Sequence, residues 1–113
     1  MKPRVEPPGI LLGSLEEQVM LAVVRTAGRA YGMNVRRELE AVSRRDVTIG
    51  SVYATLDRLE AKGLVASSRT TGADAGSRRV FTVTGSGARA LAETRATRER
   101  LWTGVKIQEL PND

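Results

Sequence analysis

Thr48-Ile49-Gly50-Ser51-Val52-Tyr53-Ala54-Thr55-Leu56-Asp57-Arg58-Leu59-Glu60-Ala61-Lys62-Gly63-Leu64-Val65 decides the fold of this 113-residue chain. Val52, Leu56 and Leu59 recur at i, i+4 and i+7, the spacing of one helix face. Thr48 is a good N-cap and Gly63 the expected C′ glycine, so the helix starts and stops inside the segment. Gly50, Ser51, Ala54, Arg58, Ala61 and Lys62 turn away from the apolar stripe. That outer face is small near the start and basic toward the end. A helix entering a DNA groove needs little bulk where backbones approach and cations for phosphates.

Downstream, Leu64–Thr70 and Arg78–Thr84 read as two strands of a hairpin, joined by the turn-rich Thr71–Ser77. Thr84 caps a last helix expected over Gly85 to about Gln108, with a polar middle and Leu101, Trp102 and Val105 near its end. Upstream, Val35, Leu39 and Val42 predict a helix over Gly32–Val42. Before it, Ser14-Leu15-Glu16-Glu17 reads as a capping box, with Ser14 as cap and Glu17 reaching back. The helix it opens, to about Thr26, is apolar nearly all round through Leu15, Val19, Met20, Leu21, Ala22, Val23 and Val24. Such a helix must be covered on more than one side, by the rest of the chain or by a second subunit. Residues 1–13, with Pro3, Pro7, Pro8, Gly9 and Gly13, read as a flexible or extended arm.

The order helix, helix, helix, strand, strand, helix is mainly α with a β-hairpin wing, the layout of a winged helix-turn-helix. The expected organisation is an arm at 1–13, the winged domain at 14–84, a C-terminal helix at 85–109 and a tail at 110–113.

Charge agrees with a polyanion partner. Lys and Arg exceed Asp and Glu by 18 to 13, with a sequence pI near 10.4. Residues 43–82 hold seven cations against four anions, so the excess peaks around the third helix and the segment after it. The chain has no Cys and no His, which excludes disulfides, thiol chemistry and the usual zinc sites. No Walker loop or paired-carboxylate motif is present; no catalytic residue, metal or cofactor is expected. Val19–Val24 is far too short to span a bilayer, and the N-terminus is not a secretory signal, so the expected location is cytoplasmic with no membrane partner.

The chain resembles the PadR-like transcriptional regulators, a bacterial winged-helix family. The resemblance rests on Tyr31-Gly32 opening the second helix, on Gly50-Ser51-Val52-Tyr53 followed by Leu56–Leu64, and on Arg78–Gly87. The last matches a basic-aromatic strand leading into a Leu-Thr-x-x-Gly helix start, with Val83 in the leucine place. It implies a homodimer binding an inverted-repeat operator on double-stranded DNA, usually as a repressor of a nearby operon. It also implies dimerisation through the first and last helices, here Leu15, Val19 and Ala22 with Leu101, Trp102 and Val105. The length after Thr84 resembles the short subfamily with one C-terminal helix. Family members variously respond to small hydrophobic or aromatic effectors, and Trp102 is either a dimer-interface aromatic or a ring lining a ligand cavity between subunits.

The candidate DNA-binding residues are Tyr31, Arg36, Thr48, Ser51, Tyr53, Ala54, Arg58, Lys62, Arg78 and Arg79. Ser51 either donates to a phosphate or base edge or merely suits a first turn. Tyr53 either packs structurally or offers its hydroxyl to a phosphate. Arg58 and Lys62 lie one turn apart on the exposed face. Arg78 and Arg79 alternate across a strand, so only one easily faces a groove. Two carboxylates oppose the reading: Asp57 on the third helix and Asp74 in the wing tip. The competing function is a winged helix used for protein contact or for nucleic acid without sequence preference.

Overall fold

The structure, a computed structural model, describes residues 10–72 and 76–111. Three helices come first: α1 (Ser14–Arg25), α2 (Gly32–Ser43) and α3 (Ile49–Ala61). The hairpin β1 (Val65–Gly72) and β2 (Gly76–Val83) follows, then α4 (Gly85–Trp102) and a 3₁₀ turn at Ile107–Glu109. The element order matches the sequence reading. The strands are longer than expected, and the Asp74 tip lies outside the described residues, as do residues 1–9 of the arm and 112–113 of the tail.

Val52, Leu56 and Leu59 are fully buried, against Val19, Met20 and Val23 of α1 and Val35 and Leu39 of α2. Each such side chain is worth roughly 1.5–3 kcal/mol of burial. Val42, the third member of the expected α2 stripe, is instead exposed; it lies one turn beyond the reach of the small core.

Thr48 caps α3 through its hydroxyl oxygen, which accepts from the Ser51 amide at 3.1 Å. At the other end Gly63 takes φ +74°, while Leu64 N–H donates to Leu59 O and Gly63 N–H to Glu60 O, both at 2.9 Å. This Schellman pair closes the helix and sends the chain directly into the wing. The strands pair antiparallel from Val65 opposite Val83 outward. Phe81 N–H donates to Ala30 O at 3.1 Å, fastening β2 to the α1–α2 connection. Thr84 gathers the far side: its hydroxyl donates to Gly63 O at 2.7 Å and accepts from Gly87 N–H at 3.1 Å.

Three boundaries differ from the sequence reading. Gly13, not Ser14, is the N-cap of α1, and Glu16 rather than Glu17 accepts from the Gly13 amide at 3.0 Å. Glu17 is held instead by Arg98 of α4 at 2.8 Å. The arm is ordered at its end: Leu12 is buried and its N–H donates to Thr94 Oγ1 of α4 at 3.0 Å. α4 stops at Trp102, because Gly104 at φ +80° turns the chain aside, so Val105 lies beyond the helix.

Candidate nucleic-acid interface

Gly50, Ser51, Ala54, Arg58, Ala61 and Lys62 are all exposed on α3, as the periodicity implied. At the helix start the Thr48 hydroxyl donates to Ser51 Oγ at 2.8 Å. Ser51 therefore keeps its own proton to give to an outside acceptor. Ala54 adds no bulk one turn later. Arg58 is exposed, its Nη2 donating only a 3.3 Å bond to Thr55 Oγ1. Thr55 itself is buried and so belongs to the core.

Lys62 is less available than its position suggests. Its Nζ donates to Glu16 Oε2 at 2.8 Å, tying the end of α3 to the start of α1. That bond, then the Gly13 amide, holds the Glu16 carboxyl below its usual range. Arg36 is likewise engaged within the chain: its Nε donates to Val47 O at 2.9 Å and lies 3.6 Å from Glu40. It braces the loop that leads into α3.

Between the wing and the start of α2 lies a cleft of about 490 Å³, lined by Tyr31, Gly32, Met33, Asn34, Arg37, Tyr53, Arg69, Arg78 and Arg79. Gly32 is its floor. The Tyr53 ring lies so close that a Cβ at position 32 would overlap it, 2.6 Å from the hydroxyl oxygen. Glycine at position 32 lets the Tyr53 ring lie against the start of α2; a larger residue there would make that ring swing aside. Arg78 lies over the Tyr31 ring, 5.1 Å from its centroid, and is exposed. The two wing arginines part as the alternation requires. Arg79 turns to α3, where Nη1 meets Asp57 Oδ1 at 3.1 Å and Nη2 meets Glu60 Oε1 at 2.8 Å. Arg69 of the cleft was not among the sequence candidates. The hairpin register, which places Arg69 opposite Arg79, was the available signal for it.

The expected dimer residues divide. Val19 and Ala22 are buried in the chain's own core, and Leu15 is half-buried against it. The side of α1 that stays open carries Leu21 and Val24, 44% and 52% exposed, beside Val42 of α2. Leu101, Trp102 and Val105 are exposed, past the last buried residue of α4, Thr94. Among the described residues no group of three or more His, Cys, Asp or Glu could hold a metal, and no helix is long and apolar enough to cross a membrane.

Residues 20–93 match the family described as "Transcriptional regulator PadR-like family". Solved structures agree. A PadR family transcriptional regulator from Eggerthella lenta is 29% identical, over 86% of this chain and 89% of that one, with TM-score 0.67. A PadR-like transcription factor from Bacteroides fragilis is 26% identical over 77% and 82%, with TM-score 0.68. A PadR-like regulator from Bacillus cereus, at 19% identity over 87% and 93% with TM-score 0.70, shares the fold. No curated protein matches the chain.

Proposed function

This chain belongs to the PadR-like family of transcriptional regulators, DNA-binding winged-helix proteins and not enzymes, and from that premise we propose that it is a homodimeric repressor. In this reading it acts in the cytoplasm on an inverted-repeat operator near the operon it controls. Each subunit lays α3 in a major groove, with Ser51, Ala54 and Arg58 toward base edges. Thr48 orients Ser51. Tyr31, Tyr53, Arg37 and Arg78 meet the flanking phosphates, and Lys62 supports the helix end. The observation that carries the reading is the exposed face of α3, small at its start and cationic at its end, flanked by an arginine- and tyrosine-lined cleft.

Two copies associate through the open side of α1, at Leu21 and Val24, and the projecting end of α4 with Leu101, Trp102 and Val105. A small hydrophobic or aromatic effector seated against Trp102 between subunits would relieve repression by changing the spacing of the two recognition helices.

Selection of binding duplexes from a random pool tests the reading. The expected product is a motif whose two halves are inverted copies, spaced by about one helical turn or a multiple of it. A pool that stays random would favour nucleic-acid binding without sequence preference, and a motif lacking symmetry would contradict the two-fold dimer.

A further inference from the structure

Asp57 has no place in a phosphate-binding face, yet it is exposed on the recognition helix beside Arg58. Its partner is across the fold. Arg79 spreads its guanidinium between Asp57 and Glu60, at 3.1 Å and 2.8 Å, with the two carboxylates one turn apart on α3. The guanidinium also lies 4.8 Å from the centroid of the Phe81 ring, which is buried. The second oxygen of Glu60 accepts from the Ser67 hydroxyl on β1. Ser67 and Phe81 are cross-strand partners, so a single turn of α3 grips both strands of the wing near its base.

We propose that Asp57, Glu60 and Arg79 form a clamp fixing the angle between the recognition helix and the wing, with Arg79 a positioning residue and Arg78 the wing's phosphate contact. The clamp sets two carboxylates against one guanidinium, so the charge of Arg79 is taken up within the fold. Arg79 is therefore poorly suited to displacing counterions from DNA, whereas Arg78 lies over Tyr31 in the cleft. Asp57 is kept on the helix because the wing angle depends on it. A forked guanidinium is suited to this, since its planar donors address two acceptors at once.

The inference rests on the reading that α3 and the wing face DNA, and two measurements keep the questions apart. In the first, affinity for a duplex selected by the unaltered protein is followed over a salt series. Arg79→Gln is expected to weaken binding by about tenfold with an unchanged salt slope. Arg78→Gln should lower the slope by about 0.9, one phosphate's worth. Asp57→Ala removes a negative charge near DNA yet should also weaken binding, and the Asp57→Ala/Arg79→Gln double variant should be no worse than the weaker single variant. A lower slope in Arg79→Gln, or tighter binding by Asp57→Ala, would overturn the clamp. In the second, hydrogen exchange is read on the DNA-free protein. Wing amides should exchange faster in Asp57→Ala and Arg79→Gln, and unchanged exchange overturns the clamp whatever the DNA result. If the unaltered protein selects no duplex, the DNA reading fails while exchange still decides the clamp.

Discussion

Gly87 and Glu16 each show one residue setting a constraint that its neighbours cannot relax. A methyl group at position 87 would overlap the backbone oxygen of Leu64 and come within 2.8 Å of Val83 Cγ1 and 2.9 Å of Met20 Cε. A backbone oxygen cannot swing aside, so Gly87→Ala should cost about 1–3 kcal/mol, read as a lowered midpoint in denaturant, with α3 untouched. An unchanged midpoint would mean that α4 is not seated as described. Glu16 titrates lower in the folded protein than its ordinary 4.5, chiefly because Lys62 donates to it and then because the Gly13 amide does. A depressed carboxyl adds stability that is present above the unfolded value and lost as pH falls below it. Glu16→Gln should therefore be less stable at neutral pH and should lose less on acidification below about pH 4.5 than the unaltered chain. Parallel stability curves for the two proteins would contradict this. Such pairings explain what the sequence left illegible. Lys62 and Arg36 read as free cations because their partners, Glu16 and the Val47 carbonyl, belong to other elements, and helical periodicity carries no information about them.

Elements were legible where their signals are local. Thr48 and Gly63 bracket α3 in the sequence, and both perform the expected capping. The buried stripe of α3 and its small, basic outer face follow from a 3.6-residue period alone. α1 was harder, because apolar residues nearly all round it do not show which side the chain itself covers. The structure commits Val19, Met20, Ala22 and Val23 inward and leaves Leu21 and Val24 outside. The end of α4 was read through Gly104, a glycine with a left-handed φ. If the open face of α1 receives the end of a partner's α4, Leu21→Asp should leave the subunit folded but weaken association. Trp102, the sole tryptophan, reports on this directly. Its emission should shift to the blue with rising concentration in the unaltered protein and much less in the variant. Identical behaviour of the two would place the dimer contact elsewhere.

Across the whole molecule, acidic and basic groups are distributed to separate holding from binding. Glu16, Glu40, Asp57 and Glu60 engage Lys62, Arg36 and Arg79. Arg58 on α3 and Arg78 on the wing are left exposed, and Arg78 lines the cleft between the wing and the start of α2. The net charge of +5 is therefore less telling than its arrangement. The central claim is that α3 reads DNA sequence, and Arg58 is the exposed α3 cation on which that claim rests. The direct measurement is a salt titration of binding to a selected duplex and to a scrambled duplex of equal length, for the unaltered protein and for Arg58→Ala. The unaltered protein should prefer the selected duplex by about 10³ or more, and its binding should weaken steeply with salt. Arg58→Ala should keep its fold, checked by thermal unfolding, and lose most of that preference. Equal affinity of the unaltered protein for both duplexes, or a preference untouched by Arg58→Ala, would contradict the account.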